Sequence, residues 1–335
     1  MIKQKHKQKI VTFGGGTGQF HLLDGLRELN DSAFIAAVAS TWDSGGSSGR
    51  LRTEWGVLPP GDIRRCMLAL MEDAEQRKVA QYLFDDRLEE MVGPLKGHSL
   101  GNLITARLDQ LYKGQDRGID AERKLFRIQS KIFPATLTDV QLVAETASGV
   151  KVSGETNIDF RVNSENFDSK DKIIRIYFDT LANANNDVIR AIEEADKLIF
   201  SPGDLYTSVL PHLLVEGVSE AIATTQAKLI IVLNLATKAG ETDHFKASDY
   251  LEAFAFYLGG GNRIDYLVVN NNDLDDEIVE VYKKSGQNLV EIDEEKCLKI
   301  APNVKFVRQN VSRYLKREHL LRHDPLKLAS AILDI

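Results

Sequence analysis

The stretch KIVTFGGGTGQF, residues 9–20, decides the fold. An apolar, partly β-branched run ends in four glycines within five residues. Phe20, Leu22, Leu23, Leu26 and Leu29 then follow at helical spacing. Glycine inside a strand or helix costs about 0.5–1 kcal/mol relative to alanine, so four together answer to a backbone requirement. Strand, glycine turn and helix form the phosphate-cradling unit of doubly wound folds. Bare backbone lets an anion approach, and the helix N-terminus offers unpaired N–H groups and a favourable dipole. The spacing departs from both common fingerprints. A dinucleotide motif started at Gly14 needs a glycine where Gln19 stands, and one started at Gly16 needs it where His21 stands. A Walker A loop started at Gly14 needs Gly-Lys where the chain has Gln19-Phe20. A tight strand-to-helix turn with no ligand is the competing reading.

Working outward, Lys9–Phe13 reads as a buried strand, Gly18–Asn30 as its helix and Ala33–Ser40 as a second buried strand. Residues 41–61 show no periodicity and read as a long loop, a length that is usually functional or disordered. Residues 62–111 read as mostly helical, and VQLVAETASGVKVSGETNI (140–158) as an inserted β-hairpin turning at Ser148-Gly149. The α/β alternation resumes with strand Lys172–Phe178 and helix Asp187–Ala195. Strands Lys197–Ser201, Lys228–Leu233 and Asp265–Asn270 follow. Continuous apolar strands alternating with helices imply a parallel sheet covered on both faces. The expectation is a single α/β domain over 1–335, doubly wound and Rossmann-like, with a mostly parallel sheet. Residues 1–8 form a basic tail, and 311–335 a charged helix or helix pair.

Composition narrows the function. The chain has 335 residues, 43% hydrophobic and 27% charged, with a net charge of −7. An acidic balance argues against general nucleic-acid binding, which needs a basic field, so any anion site is built locally. Two distant cysteines, Cys66 and Cys297, suit neither a disulfide framework nor a cysteine zinc site, and fit the reducing cytoplasm. No apolar run reaches spanning length, so no membrane insertion is expected. A homodimer is the default assembly for a soluble protein of this kind.

Further polar groups gather at element boundaries, where open α/β sheets bind ligands. DSGGSSGRLR (43–52) follows the second strand. Asp43 stands where such folds present a carboxylate to a ribose or a metal. Ser44, Gly46 and Ser47 offer hydroxyls and backbone N–H groups, and Arg50 or Arg52 can pair with a phosphate. PPGDIRRC (59–66) reads as a helix entry with Asp62 as N-cap and Arg64 in the first turn. GHSLGNL (97–103) starts a helix with His98, Ser99 and Asn102 near its exposed end, and Gly101 is a further binding candidate. SPGDLYTSVLP (201–211) again gives strand, glycine and helix start, with Gly203, Asp204, Tyr206, Thr207 and Ser208. NLATKAGETD (234–243) supplies Asn234, Lys238, Glu241 and Thr242. With Gly15, Gly16, Thr17 and Gly18, these groups are expected to line one cleft at the strand C-termini.

These six motifs, in order across about 230 residues, resemble the CofD-like superfamily, most closely its bacterial gluconeogenesis-factor branch. The resemblance implies a nucleoside-diphosphate ligand. The enzymatic branch is similar to 2-phospho-L-lactate transferase, which moves a phospholactyl group from a guanosine diphosphate carrier to a deazaflavin with magnesium. The bacterial branch is implied to bind UDP-sugars, including UDP-N-acetylglucosamine, and is linked to gluconeogenic growth, cell shape and wall synthesis. The expected bacterial pattern is Gly-Pro-Gly-Ser-Leu-Tyr-Thr-Ser, whereas this chain has Ser201-Pro202-Gly203-Asp204. A carboxylate thus replaces a hydroxyl beside the expected phosphate site.

The expected function is a nucleotide-sugar-binding regulatory protein; the alternative is a magnesium-dependent transferase with a nucleotide-activated donor. For the latter, Arg50, Arg52 and Arg64 are candidates to neutralise a diphosphate. Asp43, Asp62 and His98 are candidate catalytic groups, and Asp43 and Asp62 candidate magnesium ligands. A nicotinamide-dependent oxidoreductase is disfavoured by the missing fingerprint glycine.

Overall fold

The computed structural model describes residues 7–29, 33–165, 167–271, 274 and 276–335. The chain opens with β1 (Gln8–Gly14), α1 (Gly16–Glu28) and β2 (Ala33–Ala39). A helical stretch follows: α2 (Gly46–Trp55), α3 (Gly61–Leu70), α4 (Ala74–Asp85), α5 (Leu100–Tyr112) and α6 (Gln115–Leu125), leading to β3 (Lys131–Pro134). Next come β4 (Leu142–Thr146), β5 (Lys151–Ser153), the short α7 (Glu155–Asp159) and β6 (Ile173–Phe178). The second half runs α8 (Asn186–Glu193), β7 (Lys197–Phe200), α9 (Val218–Thr224), β8 (Lys228–Val232), α10 (Ala247–Leu258) and β9 (Tyr266–Asn270). It ends with α11 (Asp276–Lys284), α12 (Glu294–Ile300), β10 (Lys305–Gln309), β11 (Ser312–Leu315), β12 (Leu320–His323) and α13 (Pro325–Leu333).

Seven strands form one all-parallel sheet in the order β10-β9-β8-β7-β1-β2-β3. The chain starts mid-sheet, moves outward through β2 and β3, and returns to the other side of β1. The direction of winding therefore reverses between β1 and β7, and the crevice at such a reversal is where doubly wound folds bind ligands. The alternation of a strand's side chains explains the double cover. Val11, Phe13, Leu198 and Phe200 enter one core with α8, α9 and α10, whereas Ile10, Ile35, Ile199 and Ile230 enter the other with α1, α3 and α13. Phe13 stacks on Phe200 at 5.0 Å across the switch point.

The 140–158 hairpin is present as β4–β5, paired antiparallel. The strand expected at Lys172–Phe178 joins it as β6, completing a three-stranded antiparallel sheet whose Leu142, Ala144, Ile173 and Ile176 pack on the main sheet. Two expectations fail. The 41–61 segment is not a loop throughout, because Gly46–Trp55 is helical. Its glycines and serines mask the signal, while Leu51, packing with Val57 and Ala106, holds the helix from outside. The 311–335 tail is a β-hairpin plus one helix. Tyr314 and Leu321 alternate inward onto Ile278 and Tyr282, and Asp324 caps α13. Of the basic tail expected over 1–8, residues 1–6 lie outside the described residues, and Gln8 already belongs to β1.

Candidate functional site

The glycines at the β1–α1 turn serve two contacts. The Gly16 amide, at φ +62°, donates to Asp62 Oδ1 at 2.8 Å, while the other Asp62 oxygen accepts from Ser40 Oγ. Asp62 is thus not an N-cap: Pro60 holds that place, and Asp62, one residue inside α3, reaches across to fasten the turn. Gly18 meets the facing turn so closely that a Cβ there would sit 1.7 Å from the Pro202 carbonyl oxygen. That facing turn is itself clasped. Gly203 N donates to Asn234 Oδ1 at 3.1 Å, and Asn234 Nδ2 donates to Gly203 O at 2.7 Å. Buried Glu241 accepts from Tyr206 N and Thr207 Oγ1, both at 3.0 Å, and Thr242 Oγ1 accepts from Lys238 N at 2.8 Å. The NLATKAGETD loop is therefore a scaffold for SPGDLYTS.

Two adjoining cavities, of about 610 and 390 Å³, open at this crevice. Gly15, Gly16, Thr17, Gly18, Gly203, Asn234 and Lys238 line the larger, together with Tyr282 and the β11–β12 hairpin. Asp43, Gly46, Ser47, Asp62, Arg64, Asn102 and Thr207 line the smaller, together with Glu155, Thr156, Asp159 and Phe160 from the inserted unit. Gly16, Arg65, Asp204 and Ser208 belong to both walls. The remaining sequence candidates stand behind these walls or away from them. Ser44 Oγ accepts from Thr156 N at 3.0 Å, Gly101 packs on Phe84 and Arg64, and Tyr206, Glu241 and Thr242 form the scaffold just described. His98 is buried rather than exposed. Its Nδ1 lies 3.0 Å from Ser47 Oγ, and burial, then the Arg50 charge, holds its pKa below the usual imidazole value. It positions Ser47 and lines neither cavity.

The three arginines expected at a phosphate already have protein partners. Arg50 donates to the Lys96 and Pro94 carbonyls, both at 2.6 Å. Arg52 pairs with Asp139 at 2.7 Å and donates to Gln141 and Val140. Arg64 is buried, with Nε 2.9 Å from Asn102 Oδ1 and an ion pair to Asp85. Arg65 instead makes no ion pair or hydrogen bond among the described residues. A Cβ at Gly16 would lie 3.4 Å from its Nη1. The signal was present in the sequence: Arg65 lies three residues after Asp62, hence on the same helical face, whereas Arg64 is turned inward. Arg87 on the smaller wall and Arg322 on the larger were also missed, because their segments are far from any glycine motif.

Carboxyls crowd the smaller cavity. Asp43 accepts from Gly45 N at 2.8 Å. Burial and then the Asp62 charge raise its pKa above the usual carboxylate value. Burial, followed by Asp43 and Asp159, pushes Glu155 up to about 8. Burial also raises Asp204, against the pull of Lys238. Lys238 Nζ lies 2.7 Å from Asp159 Oδ1 and 3.4 Å from Asp204 Oδ2. Burial opposes its charge, but Asp204 and Asp159 outweigh that and raise it. Oxygens of Asp159, Asp204 and Glu241 lie within 4.8 Å of one another, but the Lys238 ammonium already supplies their cation. Asp43 and Asp62 are a different case: two neighbouring carboxyls facing one cavity, each raising the local negative potential, suit a hard oxygen-liganded cation such as magnesium. In the larger cavity, burial followed by the Arg313 and Arg322 charges brings His21 down to about 4.

Comparison with known proteins places the chain in a family. The CofD family profile, described as 2-phospho-L-lactate transferase CofD, matches residues 10–312. A putative gluconeogenesis factor of Thermotoga maritima is 38% identical, over 97% of this chain and 98% of that one. The gluconeogenesis factor of Bacillus subtilis is 36% identical over 98% of each chain. A crystallised protein of Bacillus halodurans superposes with a TM-score of 0.88 at 35% identity, covering 98% of this chain and 99% of that one. On a full-length match in sequence and in fold, this chain belongs to the CofD family, alongside the bacterial gluconeogenesis factors.

Proposed function

We propose that this protein binds a nucleotide sugar, such as UDP-N-acetylglucosamine, and acts as a regulator of carbon metabolism, cell shape and wall synthesis in its bound state. The observation that carries this is Arg65. A guanidinium unpaired among the described residues, on the wall common to two cavities with Asp204 and Ser208 and beside the N-terminus of α1, is the group a diphosphate needs. The larger cavity has room for the nucleoside, and the smaller for what the diphosphate carries. The name carried by the relatives supports the metabolic link. A cytoplasmic location and a homodimer belong to the same proposal; no helix among the described residues is long and apolar enough to cross a membrane.

A second reading, a transferase using a nucleotide-activated donor, is favoured by the family description and by the Asp43–Asp62 pair. Those two carboxyls would hold magnesium, which when bound neutralises diphosphate charge. In that reading Arg65 orients the donor, and the scaffold around Glu241 keeps the Gly203–Ser208 turn rigid. Thermal shift with UDP-N-acetylglucosamine, GDP and NAD, with and without magnesium, tests the first reading. A ligand at 100 times its Kd stabilises a fold by about 2.7 kcal/mol. Absence of a shift with every nucleoside diphosphate refutes the proposal. Turnover on incubation with the best ligand moves the protein to the second reading.

A further inference from the structure

We infer, resting on the nucleotide-sugar reading, that the smaller cavity selects the group carried on the diphosphate by charge. It admits an uncharged, hydroxyl-rich glycosyl group and excludes an acidic one. The two cavities differ sharply in sign. Among the described residues, Asp204 is the one acidic residue on the larger wall, against Arg65, Arg322 and Lys238, the last already paired with Asp204 and Asp159. On the smaller wall stand Asp43, Asp62, Glu155, Asp159 and Asp204. Lys238 pairs with Asp159 and Asp204, which leaves Asp43, Asp62 and Glu155 to face a ligand. Arg64 is bound to Asp85, and Arg65 faces the larger cavity as well, leaving Arg87. The diphosphate and the nucleoside therefore belong to the larger cavity, and the carried group to the smaller.

Carboxyl oxygens accept hydrogen bonds from sugar hydroxyls, and the Ser208 hydroxyl on the same wall can donate in return. Phe160, 55% exposed on that wall, offers an aromatic face to the C–H side of a pyranose. A uronic acid or a hydroxy-acid ester carries a carboxylate, and like charges placed together disfavour a ligand. α7, in the inserted unit, delivers Glu155 and Asp159, and Asp204 enters from the turn after β7.

Calorimetric titration in metal-free buffer tests this with UDP, UDP-glucose, UDP-N-acetylglucosamine and UDP-glucuronate. UDP should bind, both neutral sugars should bind at least as well as UDP, and UDP-glucuronate should bind about tenfold or more weaker than UDP-glucose. Asp204→Ser and, separately, Asp159→Asn should narrow that gap. Equal affinity of the wild-type protein for UDP-glucose and UDP-glucuronate overturns the inference while leaving nucleotide binding intact. Failure of all four ligands overturns the nucleotide-sugar reading itself. The wild-type comparison decides even if a variant fails to fold.

Discussion

Arg65→Ala isolates the group on which the functional reading turns. In the free protein this guanidinium has no ion pair or hydrogen bond among the described residues, so its removal leaves no partner stranded. The melting temperature should therefore stay within the small range expected of a surface change. In the complex, Arg65 would donate to a diphosphate oxygen, and a charge-assisted hydrogen bond contributes about 1.5–3 kcal/mol. At about 1.4 kcal/mol per factor of ten, affinity should fall roughly 10- to 150-fold. Arg65→Lys should recover only part of this, because an ammonium lacks the planar fork. Arg50→Ala is the matched control. Its guanidinium is engaged with the carbonyls of Lys96 and Pro94, so its loss should loosen that loop and leave affinity within about threefold of wild type. Titration of all three variants with UDP-N-acetylglucosamine decides. Wild-type affinity in Arg65→Ala, or a larger loss in Arg50→Ala, refutes the placement of the diphosphate on the shared wall.

Three further outcomes follow from particular contacts. Asp62→Ala strands the Gly16 amide and the Ser40 hydroxyl, so urea denaturation should show a loss of about 1–3 kcal/mol, with Asp62→Asn milder. Gly18→Ala pushes a methyl into the Pro202 carbonyl and forces the β1 and β7 turns apart; it should lower the melting temperature and abolish nucleotide binding together. Glu122 is fully buried, and burial raises its pKa to about 7, with a bond from Thr105 opposing. An acid whose folded value exceeds its unfolded one favours the fold at low pH and loses that advantage as pH climbs from about 4.5 through 7. Glu122→Gln should therefore gain on wild type between pH 5 and pH 8, by at most about 3 kcal/mol at 1.4 kcal/mol per unit. A pH-independent difference in equilibrium unfolding shows that Glu122 does not titrate in that window.

How much was legible in advance follows a physical pattern. Lys9–Phe13, Ala33–Ser40, Lys197–Ser201, Lys228–Leu233 and Asp265–Asn270 were recognisable as strands because buried parallel strands are continuous apolar runs, and all five lie in one sheet. The edge strands β3 and β10 were not, since each is only partly buried and carries polar residues, as an edge allows. α2 was hidden because its helix-poor residues are held by contacts with Leu103 and Ala106, far along the chain.

The sequence by itself determined the doubly wound sheet and the family. It also determined that Gly15–Gly18, Asp43, Gly203–Asp204 and Asn234 belong to turns that follow strands. Those features are local: a strand's apolar period, a glycine where backbone approaches backbone, and a motif in its order. Only the tertiary structure decided which charges are free. Arg50, Arg52 and Arg64 look in sequence as available as Arg65. Their partners at Lys96, Asp139 and Asp85 come from segments whose approach no local pattern encodes. Likewise the carboxyls of Glu155 and Asp159 reach the site because the inserted sheet packs on the core through Leu142, Ala144 and Ile176. Long-range burial sets that packing, and the sign of the smaller cavity follows from it.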